Sequence, residues 1–220
     1  MTRVELSSPS RGYIDYIHRT DPALAQNCTA LARKLSQAAD RPQAFRFFAE
    51  EITRIQGCSC AVFQYDIATQ DLTIAGATGR MTGTSLGSTN PTPLLSQVMT
   101  KKVPIVIPNL RDLNAVSVAK RLEESQGREF LDTETVRLII DQRSTEFPRR
   151  LVRAALPKDL STGSILLYAI PSSIPSFPSQ GLVMEHTPGS AGSTPEQIKT
   201  GATLAKIFAI ETLHLRFGNI

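Results

Sequence analysis

Histidine and cysteine are scarce in this chain, so each one can be weighed for chemistry. The three histidines are His18, His186 and His214. His186 directly follows Glu185, and an imidazole beside a carboxylate is the raw material of general acid–base catalysis. Neighbours on a strand point to opposite faces, however, which sets these two side chains apart. His214 falls near the end of a long helical pattern and reads as solvated or at an interface. Cys58 and Cys60 lie two apart on a predicted strand and so share a face. Such a pair supplies two metal ligands, but no second Cys or His pair lies nearby to complete a tetrahedral set. The plainer reading is two small buried apolar side chains. Three cysteines in all, with Cys28 the third, argue against a disulfide framework and for a reducing compartment.

Other catalytic signatures are missing. The chain has no G-x-S-x-G, no P-loop and no H-E-x-x-H, so it is not expected to be an enzyme. The Gly83–Ser88 loop (GTSLGS) holds two glycines but follows no parallel-sheet strand, which makes it a weak phosphate site. Arg143, Arg149, Arg150, Arg153 and Lys158 form the densest basic cluster, opposed only by Glu146. It reads as a solvated edge, or as a contact for an anion or a protein partner. A net charge of +4 over 220 residues is mild. Nucleic-acid binders concentrate such charge on one face, and no helix-turn-helix pattern is present, so nucleic acid is not expected as a partner. A composition that is 41% hydrophobic and 20% charged excludes a wholly disordered chain. No apolar run reaches the ~18 residues of a membrane helix. Met1–Ser10 has no secretory h-region, and the expected location is the cytoplasm.

Around these residues the pattern alternates between helix and strand. Residues 1–21 read as an N-terminal arm, with an amphipathic patch at Tyr13, Ile14, Tyr16 and Ile17. Asp21 and Pro22 open a helix as N-cap and first position, and Leu24, Leu31 and Leu35 follow at helical spacing. Arg41-Pro42 opens a second helix with a stripe of Ala44, Phe45, Phe48, Ile52 and Ile55, ended by Gly57. Cys58–Asp66 and Asp71–Thr78 form a predicted β-hairpin, with Ala61, Phe63 and Tyr65 on one face. A loop (Gly79–Pro93), a short helix (Pro93–Lys101) and an apolar strand (Val103–Pro108) come next. Two helical patterns, Ala115–Ser125 and Phe130–Arg143, and a strand at Arg149–Leu156 fill the middle. Ser164–Ile170 and Gln180–His186 are strands. Thr194-Pro195-Glu196-Gln197 is a capping box that opens a final helix to about Leu215, apolar on more than one side.

Three stretches carry a family resemblance: Ser59–Asp66 (SCAVFQYD) before a turn, Leu94–Asp112 (LLSQVMTKKVPIVIPNLRD), and Gly181 to Leu215 with its T-x-E-x-hydrophobic helix start. Together with the order of elements, they resemble the GAF domain family over residues 22–216. The resemblance implies an α+β fold: a central antiparallel sheet with N- and C-terminal helices on one face and middle helices and loops on the other. Residues 113–160 would be an enlarged middle segment and 217–220 a tail. No cysteine follows Cys60, so covalent bilin attachment in the middle region is not expected. The motif of cyclic-nucleotide phosphodiesterase GAF domains is missing as well. No cofactor is identified.

The resemblance further implies a non-catalytic sensory or regulatory domain. It would bind a small molecule on the sheet face away from the terminal helices and act in signal transduction or transcription regulation. The expected pocket walls are Phe63, Tyr65, Met99, Leu166 and Tyr168, with Arg150 or Arg153 as an anion contact; for each aromatic the simpler reading is core packing. A homodimer is expected through the terminal helices at Leu204, Ile207, Phe208 and Leu215. The alternative is a ligand-free scaffold that binds another protein.

Overall fold

The computed structural model describes residues 8–66, 72–83, 105–107, 162–171, 179–189, 193–213 and 215. Four helices lie among them: α1 (Arg11–His18), α2 (Pro22–Leu35), α3 (Arg41–Gln56) and α4 (Pro195–Glu211). Five strands, β1 (Ser59–Asp66), β2 (Leu72–Ala77), β3 (Ile105–Ile107), β4 (Ser164–Ile170) and β5 (Ser179–Thr187), form one sheet in the order β2-β1-β5-β4-β3. All four pairings are antiparallel. The fold is α+β and GAF-like. The predicted middle helices, the Pro93–Lys101 helix and the Arg149–Leu156 strand lie outside the described residues.

The helix ends follow the local chemistry of the sequence. Asp21 accepts from the Leu24 amide at 3.0 Å and Asp40 from the Gln43 amide at 2.7 Å, each with proline in the first turn. These caps satisfy amides that have no partner inside the helix. Gly57 ends α3 at φ 64°, a left-handed conformation that costs other residues strain. Thr194 and Gln197 close a reciprocal capping box on α4.

Residues 11–18, part of the expected arm, form α1 instead, and its Ile17 joins the core. Residues 8–10 and the end of α4 meet here. The buried Glu211 carboxylate at the end of α4 accepts from the Ser10 amide at 3.0 Å and from the Ser8 and Ser10 hydroxyls. A carboxylate at the N-terminus of α1 also complements the helix dipole.

Helices α3 and α4 pack on one face of the sheet, and α2 packs on α1, α3 and α4. Phe208 of α4 lies 5.0 Å from Phe45 and 4.7 Å from Phe48 of α3, between ring centroids. Cys58, Cys60, Val62, Leu166, Tyr168, Ile170 and Val183 complete this core from the sheet. Alternation sends Ala61, Phe63, Ile165, Leu167, Leu182 and Met184 to the second face, and they are buried too. A strand buried on both sides reads as a continuous apolar run, which is what SILLYAI is.

Candidate functional site

The site question turns on two consecutive residues of β5. Glu185 faces the helices and His186 faces away from them. Both are buried, at 3% and 0% exposure, although polar side chains of this kind are rarely so enclosed. The acid–base couple weighed from the sequence is therefore absent: strand geometry separates its two members by the thickness of the sheet.

Glu185 has partners on every side. Tyr168 donates its hydroxyl to Oε1, Gln56 of α3 donates to Oε1 at 3.4 Å, and the Cys58 thiol donates to Oε2 at 3.6 Å. Gln56 also reaches the Gln197 carbonyl of α4 at 2.9 Å, so the cluster ties sheet, α3 and α4 together. Gly201 of α4 leaves the room for it. A Cβ there would lie 2.9 Å from the Tyr168 hydroxyl and 3.0 Å from Glu185 Oε1. Burial pushes the Glu185 carboxyl up to about 7, against the opposing pull of its three donors. Burial also raises Tyr168, Cys58 and Cys60 well above their ordinary values, with the Glu185 charge adding to it. Thiols held protonated in this way are poor nucleophiles and poor metal ligands. Among the described residues, no group of three or more His, Cys, Asp or Glu is arranged to hold a metal ion.

His186 is different. Its Nε2 lies 2.8 Å from the Thr162 carbonyl oxygen, which can only accept, so Nε2 carries the proton. Its Nδ1 is buried without a hydrogen-bond partner. Across the strand pair sits Ser59, whose hydroxyl accepts from the Arg80 amide at 3.0 Å. The approach of Thr162 depends on Gly163, at φ 108°. A Cβ there would fall 2.4 Å from His186 Nε2 and 2.5 Å from the Thr187 carbonyl oxygen. Burial lowers the readiness of His186 to protonate, the bond to Thr162 opposes this, and the Arg80 charge adds to the lowering. The imidazole is a neutral ring with one fixed donor and one free acceptor.

The residues expected to line one pocket divide between the two faces. Phe63 lies on the second face, paired through the register with Leu182. Leu166 and Tyr168 lie on the helix face, in the core beside Cys60 and Val183, and are corrected from pocket walls to core residues. A strand that is apolar throughout does not show which of its two alternating sets faces which way, and a shift of one residue inverts the assignment. Tyr65 belongs to β1, opposite Leu72 and Gln180. Met99, Arg150 and Arg153 lie outside the described residues.

The expected dimer residues also change place. Leu204, Ile207 and Phe208 are at most 1% exposed within a single chain, and Leu215 packs against the same core. The second apolar side of α4 meets α2 and α3 of its own chain, so these four are intrachain contacts. The sequence reading missed Leu167, Leu182 and Met184 on the second face, and the buried Met81 after β2. For Leu167 the signal was present as the apolar residue between Leu166 and Tyr168. The unpaired nitrogen of His186 left no signal in sequence.

No protein-family model matches this chain, and no curated protein matches it. The likeness is to solved structures. The chromophore-binding domain of a bacteriophytochrome from R. palustris is similar at a TM-score of 0.58 and 14% identity, covering 90% of this chain and 64% of that one. The chain thus spans just under two thirds of that fragment. The GAF domain of an Acinetobacter phosphoenolpyruvate-protein phosphotransferase matches at a TM-score of 0.54 and 10% identity, over 89% of this chain and 95% of that one. The GAF domain of the cyanobacteriochrome TePixJ matches at 0.51 and 11%, over 83% and 95%. At such identities the likeness establishes the fold.

Proposed function

We propose that this chain is a sensory or regulatory domain that binds a small molecule against the second face of its sheet. One observation carries the reading. On a GAF-like fold whose helices already seal one side, the opposite side presents a buried apolar floor of Phe63, Leu167, Leu182 and Met184 with, among the described residues, only His186 and its cross-strand neighbour Ser59 as buried polar side chains. Mostly apolar walls with very few polar groups are the usual make-up of a small-molecule site. The structural relatives named as GAF and chromophore-binding domains support it by fold. The domain is non-catalytic in this reading, because the buried Glu185 cluster has its partners within the protein and stands on the far side of the sheet from His186.

Regulation by a ligand requires two arrangements with different affinity. The tie between sheet, α3 and α4 at Glu185 is where a change on the sheet would reach the terminal helix. A homodimer fits on the outer surface of α1 and α2, where Tyr16 is 64% exposed, since the apolar residues of α4 are engaged inside the chain. Native mass spectrometry of the protein as purified from cells tests the reading. A retained small molecule, lost in a Phe63→Ala variant that still folds, is the expected result. A clean apo mass and no thermal stabilisation by any compound in a panel of small apolar molecules would leave a ligand-free scaffold. Light scattering on the same sample reads the oligomeric state.

A further inference from the structure

Among the described residues, the second face contains one buried polar atom that the protein does not satisfy. Buried polar groups in folded proteins are paired with few exceptions, and each exception calls for an explanation. His186 Nδ1 is such an exception: its residue has no exposure, and the ring cannot turn away. The Thr162 carbonyl holds the other nitrogen at 2.8 Å, and Gly163 permits that approach. The neighbours that share its face along β5 are Met184 and Leu182, which offer no donor. The ring is fixed in one tautomer, and its Nδ1 acceptor is left without a partner, although the Ser59 hydroxyl lies across the strand pair on the same face.

We propose that His186 is the polar anchor of a ligand site on this face, and that the ligand is an uncharged, mainly apolar molecule presenting one N–H or O–H donor to Nδ1. The proposal rests on the reading of this face as ligand-binding, and it adds the chemistry of the ligand. A donor is required because Nε2 already carries the ring proton. Net charge is disfavoured because the floor is apolar and, among the described residues, no acid shares it; the Arg80 charge nearby further disfavours a cation. Gly163 is a positioning residue, since it sets the imidazole through Thr162.

Two probes of nearly equal shape separate the elements of this proposal. Indole carries one N–H donor, and benzothiophene replaces it with sulfur. Titrations of the intact protein are followed by NMR, using the Leu182 and Met184 methyl signals for entry onto the face and the His186 ¹⁵Nδ1 signal for the hydrogen bond. The expected result is that indole binds at least roughly ten-fold more tightly than benzothiophene, as pairing of one buried polar group implies. Indole alone should move the Nδ1 signal upfield, and His186→Phe should abolish the preference. If both probes move the methyl signals equally and neither moves Nδ1, the donor requirement is wrong while the ligand-binding face stands. An Nδ1 signal that is already at its hydrogen-bonded position in the free protein, and unmoved by indole, overturns the proposal in favour of a resident water. If neither probe shifts the methyls, the proposal falls together with the reading of the face.

Discussion

Glu185 and His186 are chain neighbours with equal burial and opposite circumstances. On the helix face, the Glu185 carboxyl collects three donors, from Tyr168 of β4, from Cys58 just before β1 and from Gln56 of α3, and abuts a glycine of α4 that makes space for it. On the second face, the His186 imidazole has one partner and one vacant acceptor. The difference teaches how to separate a polar residue that holds a fold together from one that awaits something. Burial alone does not distinguish them, and neither does a shifted titration. Completeness of hydrogen bonding does: a satisfied network rigidifies its surroundings, and an unsatisfied atom of the same burial is a standing cost.

The strongest way to break the comparison is at the aromatic centre of the helix face. Phe208→Ala removes the ring that touches both Phe45 and Phe48 and is expected to destabilise the protein by about 3–5 kcal/mol in urea unfolding. A loss below about 1 kcal/mol would mean that α4 is not part of this core, and the placement of Leu204 and Ile207 would fall with it.

Next in size is the pH profile. The folded protein keeps the Glu185 proton up to about 7, while an unfolded chain releases it near 4.5. The folded state therefore binds more protons across that window, and stability falls as pH rises through it, then levels off above it. The whole effect is on the order of 3 kcal/mol. Glu185→Gln should flatten this part of the profile and be more stable than the wild type at pH 8. An unchanged profile would show that the carboxyl is not held protonated by burial.

The smallest effect belongs to His186, which works in the opposite direction. Its folded-state pKa is depressed, so the unfolded chain takes up the proton first as pH falls below about 6.5, and stability declines on the acid side. His186→Phe loses the bond to Thr162 but also removes a buried unpaired nitrogen, so its stability at pH 8 should stay within about 1 kcal/mol of wild type. It should also lose part of the acid-side decline. A much larger loss at pH 8 would place His186 among the structural residues, alongside Glu185.

Local chemistry made much of the architecture legible. The caps at Asp21, Asp40 and Thr194, the stop at Gly57 and the hairpin of β1 and β2 follow from side chains that act within a few residues of themselves. The apolar α4 was legible as a helix with two covered sides, but its second partner was not. A helix pattern specifies how many sides are buried and leaves open whether the same chain or another buries them, so α3 with Phe45 and Phe48 had to be seen in place.

The sequence by itself determined α2, α3, α4, the hairpin of β1 and β2, the strands β4 and β5, and the separation of Glu185 from His186, because capping, periodicity and strand alternation are short-range properties of the chain. Tertiary structure decided which alternating set of β4 faces the helices, that Phe63 and Tyr168 lie on opposite sides of the sheet, and that the His186 nitrogen has no partner. These depend on inter-strand register and on the approach of Thr162 past Gly163, and contacts of that range are not encoded in any local pattern of residues.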